Sequence, residues 1–243
     1  MEQLNFSKTL LIIPTFNEVD NVGRMLSILF EKYPELHIVV VDDNSPDRTR
    51  DKVVELQQLH KNLNLIDREK KRGLASAYIT AFKWGLCRDF DYFIQMDCDF
   101  SHDPKEVFHL RQDAEVYDLV IGSRYIHGVR ITNWPFYRLC LSYLASLYVQ
   151  LISRAPIKDP TSGLKCFKRI ALENIDLDRI ISEGYIFQFE LSFKVWARNL
   201  SIKERPIVFN ERRDGTSKLG RSIILEAFIN VLRLKLKHVF KAL

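Results

Sequence analysis

The feature that most constrains the fold of this chain is a repeated alternation of short apolar runs with stretches of helical spacing. The apolar runs, each of a length typical of a buried strand, are Leu10–Ile13, His37–Val41, Leu63–Ile66, Phe93–Met96 and Leu119–Ile121. The helical stretches between them are Asn21–Tyr33, Arg50–His60, Leu74–Leu86 and a helix that begins at Pro104 and continues to Arg111. This order predicts an α/β fold with a mostly parallel central sheet and helices on both faces.

Beyond Gly122 the pattern changes to longer apolar helices. We predict helices over 136–152 and 185–198, a strand around Ile202–Phe209, and a last helix from about Ser222 to the end. The 243 residues contain no internal repeat and no low-complexity linker. The chain therefore fits one domain, 1–243, whose halves are residues 1–122 and 123–243.

Polar side chains follow four of the predicted strands at the point where each strand ends. These segments are Pro14–Glu18, Asp42–Asp47, Asp97–Asp99 and Gly122–Arg124. Any one of them could be ordinary turn or capping chemistry. Parallel strands present their carboxyl ends at one edge of the sheet, where α/β proteins bind ligands, so the four together indicate a binding site.

Asp97 and Asp99 suggest what that site holds. In an extended chain the spacing Asp-x-Asp points both carboxylates to the same side, where they repel one another. A hard divalent cation with oxygen ligands, Mg²⁺ or Mn²⁺, would remove this repulsion and bridge to a diphosphate. Asp42 or Asp43 could accept hydrogen bonds from the base or ribose of a nucleotide.

Several other classes of site are disfavoured. The chain has no GxGxxG after its first strand and no Walker A sequence. The four cysteines are scattered without zinc-ligand spacing. With 36 Lys and Arg against 31 Asp and Glu, the charge gives no indication of nucleic-acid binding. Scattered cysteines and the lack of a signal peptide favour a reducing, cytoplasmic location.

The motifs resemble those of the inverting family-2 glycosyltransferases with the GT-A fold, and within them the polyprenol monophosphomannose synthases, or dolichyl-phosphate mannosyltransferases. The similar segments cover nearly the whole chain in the same order: PTFNE (14–18), VVDDNSPDRT (40–49), RGLASAY (72–78), QMDCDFSHDP (95–104), VIGSRY (120–125), NWPFYR (133–138), DPTSGLKCFKR (159–169), EGYIFQFE (183–190) and ERRDGTSK (211–218). The resemblance implies a GT-A fold with interfacial C-terminal helices, and transfer of mannose from GDP-mannose to a polyprenyl phosphate.

The resemblance also implies roles for individual residues. In the nucleotide-binding half, 1–122, it places Pro14, Phe16, Glu18 and Asp43 at the nucleotide, with Cys98 as a spacer beside it. Asp97 and Asp99 would serve the metal and the diphosphate, with Ser101 at the position of a further metal ligand in some relatives. In the acceptor-facing half, Arg124, Arg138, Arg212 and Lys218 would surround phosphates, with Ser142 beside the acceptor phosphate. Arginine suits this task because its guanidinium binds phosphate in a forked geometry.

The lipid acceptor directs attention to the membrane. No segment reaches the roughly 18–20 apolar residues that a spanning helix needs. Helix 136–152, which contains Arg138 near its start, and the basic amphipathic C-terminal helix could lie on a membrane surface, or both could be docked core helices. We expect peripheral association, and the resemblance leaves room for a separate membrane subunit.

Three alternatives stay open on the sequence. The same lipid acceptor could be used with another donor, such as UDP-glucose. The chain could be a non-catalytic subunit of glycosyltransferase type, although its intact Asp-x-Asp argues against that reading. A nucleotidyltransferase would be expected to carry an early glycine-rich phosphate loop, which this sequence lacks.

Overall fold

A computed structural model describes residues 4–132, 134–210 and 229–236, with Tyr185 described by its backbone alone. The strands are β1 (Thr9–Thr15), β2 (His37–Asp42), β3 (Leu63–Asp67), β4 (Tyr92–Gln95), β5 (Leu119–Ser123), β6 (Ile131–Thr132), β7 (Lys165–Lys168), β8 (Ile202–Pro206) and β9 (Phe209–Asn210). The helices are α1 (Val19–Lys32), α2 (Thr49–Gln57), α3 (Leu74–Leu86), α4 (Glu106–Asp113), α5 (Phe136–Ser153), α6 (Arg169–Glu173), α7 (Gly184–Ala197) and α8 (229–236).

The main sheet of the described chain has the strand order β3-β2-β1-β4-β7-β5-β8. All neighbouring strands run parallel except β7, which is antiparallel to both β4 and β5. A short parallel pair, β6 with β9, lies apart from this sheet. The predicted α/β fold with a mostly parallel central sheet is confirmed.

Helices cover both faces of the sheet because side chains alternate along each strand. Along β1, Leu10 and Ile12 pack into the core that α3 and α7 cover. Leu11 and Ile13, between them, pack into the opposite core with residues of α1, α2 and α4. All four side chains are fully buried, as expected for a central strand covered on both sides.

The structure departs from the predicted elements at β6, α6 and β7, which were not predicted, and at one predicted strand, which is divided. β7 was not predicted, because the four residues Lys165–Lys168 carry a lysine at each end and form no apolar run. The predicted strand Ile202–Phe209 is two strands: β8 pairs with β5 and ends at Pro206, whereas β9 pairs with β6. Strands from both halves of the chain therefore interleave in one sheet.

The last predicted helix is described only over 229–236, and the rest of it lies outside the described residues. Val231 and Leu234 are buried in the core beneath α7, and the Lys235 ammonium donates to the Ser153 carbonyl at the end of α5, at 3.0 Å. This part of the helix is therefore docked on the protein through one face. Among the described helices, none combines the length and apolar character that crossing a bilayer requires.

Candidate functional site

The site lies at the carboxyl edge of the sheet, where β1, β2, β4 and β5 end. Because β7 is antiparallel, its amino end reaches the same edge and brings the preceding segment 159–163 with it. An ideal Cβ atom on Gly163 would lie 3.2 Å from an Asp97 carboxylate oxygen, so a residue without a side chain allows this close approach. The predicted strand-end segments thus meet, together with one that the sequence did not place here.

Asp97 and Asp99 occupy the centre of this edge. Ser101 donates to Asp99 Oδ1 twice, from its backbone nitrogen at 3.0 Å and from its hydroxyl at 2.6 Å, which fixes the carboxylate. The two carboxylates also lie close enough to the buried Tyr78 hydroxyl to help raise its pKa well above the ordinary value, although burial is the larger cause. Both carboxylates therefore act on the same buried hydroxyl.

The histidine next to this pair supplies no positive charge at pH 7. His102 Nε2 lies 3.8 Å from Asp97 Oδ2, but burial lowers the pKa of His102 to about 4, so this ring is neutral at pH 7. Within the described ranges no group of three or more His, Cys, Asp or Glu side chains could hold a metal ion. A divalent cation at Asp97 and Asp99 would complete its shell with ligand phosphates and water, which is the usual arrangement for Mg²⁺. The hard oxygen donors fit such an ion, and Ser101 as a further ligand stays a prediction.

Asp42 and Asp43, predicted at the nucleotide, both organise loops. Asp42 is buried and accepts from the Thr15 hydroxyl at 2.9 Å and from Ser45 nitrogen and hydroxyl at 2.9 and 2.6 Å. It therefore ties the end of β1 to the turn after β2. A contact of either carboxylate with a nucleotide stays a prediction.

Asp43 holds the segment before α3. Its carboxylate accepts from the Arg72 and Gly73 backbone nitrogens, at 2.9 and 2.8 Å, and pairs with the buried Arg68 guanidinium at 2.8 Å. Asp43 thereby shapes one wall of the site.

The other predicted nucleotide residues border the same edge. Phe16 is half-buried, and the Lys71 ammonium lies 3.3 Å from its ring centroid. Glu18 accepts from the Asn21 side chain at 2.8 Å, and Pro14 is the half-buried residue before the end of β1. Cys98, between the two aspartates in sequence, is buried and packs in the core, and its role as a spacer stays a prediction.

Arg124 is buried against Asp159, a partner that the sequence did not identify. Its side chain donates to both Asp159 oxygens, at 2.7 and 2.6 Å, and also to the Thr161 hydroxyl at 2.8 Å. Asp159 is itself held by Glu204, which accepts from the Asp159 nitrogen at 2.8 Å. Arg124 already neutralises a carboxylate, so a phosphate contact would be made in addition to this pair and stays a prediction.

Arg138 joins Arg124 at one aromatic ring. The two guanidinium carbons lie 4.2 Å and 5.9 Å from the ring centroid of Trp134, within the range of cation–π contact. Ser142, one turn further along α5, accepts from the Tyr125 hydroxyl at 2.7 Å. The structure therefore brings together the three residues predicted at the acceptor phosphate. The predicted phosphate residues Arg212 and Lys218 lie outside the described residues.

The sequence reasoning missed Tyr78, His102, Asp159 and Gly163 as parts of the site. Each stands in one of the segments that carry the family resemblance, so a signal was present. Their partners lie far away in sequence, and only the course of the chain places them together. Asp159, for example, is 35 residues from Arg124.

This combination of a GT-A-like sheet, an acidic strand end and adjoining arginines defines a glycosyltransferase that uses an activated sugar. The chain belongs to glycosyl transferase family 2, whose family model matches residues 10–176. It is an enzyme of the dolichol-phosphate mannosyltransferase-like group within that family, as the comparison with curated relatives shows.

Curated relatives match over most of the chain. A polyprenol monophosphomannose synthase of Mycolicibacterium smegmatis is 39% identical over 92% of this chain and 85% of its own length. An undecaprenyl-phosphate mannosyltransferase of Micrococcus luteus is 38% identical over 93% of both chains. A dolichol-phosphate mannosyltransferase of Pyrococcus furiosus is 35% identical over 93% of this chain, which spans 63% of that relative.

Solved structures agree on the fold. Glucosyl-3-phosphoglycerate synthase from Mycobacterium tuberculosis, in complex with Mn²⁺, UDP-glucose and phosphoglyceric acid, superposes with a TM-score of 0.71 at 15% identity. The match covers 94% of this chain and 79% of that one. A second complex of the same enzyme, with Mn²⁺, UDP and glucosyl-3-phosphoglycerate, gives 0.65 at 14% identity over 97% and 79% of the two chains.

Proposed function

We propose that the chain transfers mannose from GDP-mannose to a polyprenyl phosphate of dolichyl type, with inversion, giving polyprenyl phosphate mannose. The observation that carries the proposal is the convergence of Arg124 and Arg138 on Trp134 at the start of α5, a helix with exposed apolar side chains. A phosphate on an apolar chain needs cations at the edge of an apolar surface. The names of the M. smegmatis and M. luteus relatives support both the mannose and the lipid phosphate.

The proposal includes a divalent cation, Mg²⁺ or Mn²⁺, held by Asp97 and Asp99 with Ser101 beside them. When bound, the cation neutralises the diphosphate of the donor and makes it a better leaving group. The crowded carboxylates and their oxygen chemistry support this assignment, and related folds are named as complexes with Mn²⁺ and UDP or UDP-glucose.

The acceptor phosphate supplies its own nucleophile. With a second pKa of about 6, a phosphate monoester is mostly dianionic at pH 7 and needs no general base. The protein has to position it and offset its charge, for which Arg124 and Arg138 are suited. Direct displacement on an α-linked donor then gives a β-linked product.

The same geometry supports reaction at a membrane surface. Along α5, the side chains of Phe136, Tyr137, Leu141, Leu144 and Leu151 are all more than half exposed. The helix that carries Arg138 near its amino end therefore presents an apolar surface on which the chain of the lipid could lie. A membrane subunit would be an additional partner, not a substitute for this surface.

A donor screen tests the proposal. The purified protein is incubated with Mn²⁺, a polyprenyl phosphate and either GDP-mannose, UDP-glucose or UDP-GlcNAc, and the lipid product is identified by mass spectrometry. We expect GDP-mannose to give a mannosylated lipid whose anomeric carbon is β by NMR. Preference for UDP-glucose would show that the donor is not GDP-mannose, and an α-linked product would refute transfer with inversion. No product with any donor would favour a non-catalytic role.

The metal assignment has its own control within the same loop. Asp99→Asn is expected to lose most transfer activity while the fold persists, and a chelator should abolish the activity of the wild type until Mg²⁺ or Mn²⁺ is restored. Asp103→Asn is the matched control, because Asp103 stands in the same loop and pairs with Lys105 at 2.8 Å. Full activity in Asp99→Asn would refute the assignment.

A further inference from the structure

Three aromatic rings connect the acidic pair to the acceptor arginines. The His102 ring meets Phe209 at 5.4 Å between centroids, and Phe209 meets Trp134 at 5.8 Å. Both contacts are edge-to-face, at 74° and 76°, a favoured geometry for such pairs. We refer to His102, Phe209 and Trp134 as the aromatic bridge.

One end of the bridge is attached to the acidic pair. His102 follows Ser101, which holds Asp99, and its Nε2 lies 3.8 Å from Asp97 Oδ2. The His102 side chain is buried, and within the described part of the chain neither ring nitrogen has a hydrogen-bond partner. The ring is therefore held in place by packing, of which its contact with Phe209 is part.

The other end of the bridge carries the arginines. Arg138 lies over the Trp134 ring at 4.2 Å, and Arg124 lies 5.5 Å from the Phe209 centroid and 5.9 Å from that of Trp134. Phe209 thus contacts His102, in the segment of the acidic pair, on one side. On the other side it contacts Arg124, which is proposed to bind the acceptor phosphate.

The backbone around Phe209 connects the same two regions. The Phe209 nitrogen donates to the Arg130 carbonyl at 2.9 Å, and the Asn210 nitrogen donates to the Ser101 carbonyl at 3.0 Å. Phe209 also forms an isolated β-bridge with His102. β9 is only two residues long, and the ring contacts of Phe209 add to these backbone bonds in fixing its position.

We propose that Phe209 is a positioning residue that couples the two binding events: a divalent cation with nucleoside diphosphate at Asp97 and Asp99, and a prenyl phosphate at Arg124 and Arg138. Because both sites pack on the same rings, a ligand that holds the rings in the orientation its own site needs also holds them in the orientation that the other site needs. By linkage, each ligand must then raise the affinity for the other by the same factor. This inference rests on the proposed function for the identity of the two ligands.

The test measures binding without turnover. Free Mn²⁺ is followed by electron paramagnetic resonance during titration of the full chain with GDP present, with and without farnesyl phosphate. In the wild type we expect farnesyl phosphate to tighten Mn²⁺ binding about three- to tenfold, the range that one or two aromatic contacts can supply. In Phe209→Leu, which keeps an apolar side chain but removes the ring, this ratio should fall to nearly one.

Two further variants separate coupling from general stability. Phe209→Tyr keeps the ring and should keep the ratio. Phe90→Leu is the matched control, because Phe90 makes a comparable edge-to-face contact with His37, at 5.1 Å and 63°, near the opposite end of β4. It should lower the melting temperature without changing the ratio.

Three outcomes would overturn the inference: a wild-type ratio of one, an unchanged ratio in Phe209→Leu, or an equal loss in Phe90→Leu. The proposed function fails separately. A wild type that shows the ratio but transfers no mannose to farnesyl phosphate would defeat the reaction and leave the coupling intact.

Discussion

Arg124 and Asp159 form an ion pair in the protein interior, where their side-chain exposures are 8% and 0%. Asp159→Ala would leave the Arg124 guanidinium buried without this anion, a change that typically costs about 3–5 kcal/mol of unfolding free energy. We expect a loss in that range by urea denaturation, with a matching fall in transferase activity. Asp178→Ala, which breaks an exposed pair with Lys83, is the control and should cost less than about 1 kcal/mol. A loss of less than about 1 kcal/mol in Asp159→Ala would contradict this prediction.

Lys165 is a second buried charge, and it predicts a pH dependence. Burial lowers the pKa of its ammonium from 10.5 to about 7, while its Nζ donates to the Gln188 carbonyl at 2.5 Å. Between those two pKa values the unfolded chain binds a proton that the folded chain lacks, so stability rises with pH in that window. The burial penalty is fully present below pH 7.

The measurement compares unfolding free energies at pH 7 and about 8.5. Lys165 should add about 1–2 kcal/mol to the wild type over this interval, and Lys165→Met should lack that increment. Lys52→Met, at an exposed lysine of α2, should rise with pH as the wild type does. Equal pH dependence in wild type and Lys165→Met would mean that the lysine keeps its ordinary pKa.

At this scale the sequence was informative about side chains whose chemistry is local. The spacing of Asp97 and Asp99 was enough to predict a carboxylate pair at a strand end, and Arg138 was noticeable in an apolar helix. The partner of Arg124 was not predictable, because Asp159 reaches it only through the antiparallel strand that follows. Buried ion pairs of this kind are set by topology, which residue types alone do not encode.

Among the elements, the longer helices and the strands β1 to β5 were predictable because each carries an apolar run or an apolar helical period. β6 and α6 were not predicted, since they are only two and five residues long. β7 was not, since its buried Lys165 reads as a surface residue in a short segment. Its importance is nevertheless large: by running antiparallel between β4 and β5, it delivers Asp159 and Gly163 to the site. β7, which has no apolar run, thus completes a site that the strands with clear apolar runs begin.

The packing of α3 on the sheet predicts how an added methyl group at Gly85 would affect stability. An ideal Cβ on Gly85 would lie 2.6 Å from side-chain atoms of both Leu10 and Phe93, which are buried in the core. Gly85→Ala should therefore lower the unfolding free energy by about 1–3 kcal/mol through overpacking, even though alanine favours helix. Gly23→Ala in α1 is the control, because its Cβ would meet only the flexible Lys52 side chain, at 3.2 Å. Thermal unfolding of both variants checks this, and a stabilised Gly85→Ala would show that α3 can shift.

At the scale of the molecule, many of the large exposed apolar side chains in the described ranges lie on two helices, α5 and α8. α5 carries Leu141, Leu144 and Leu151, and α8, which contacts the end of α5 through Lys235, exposes Ile229, Leu232 and Leu236. A surface of this kind on a chain of net charge +5 favours binding to an anionic bilayer by apolar insertion and by charge.

Sedimentation with anionic liposomes tests this binding. We expect the wild type to pellet at low salt and to release progressively as salt rises, because screening weakens the charge term while the apolar term persists. Replacing Leu141, Leu144 and Leu151 by serine should reduce the bound fraction at every salt concentration. The control replaces by serine Leu59 and Val116, which are exposed at 73% and 71% and follow α2 and α4, and it should bind as the wild type does. If both sets of replacements behave alike, or if the wild type fails to bind at low salt, α5 is not the surface that meets the membrane.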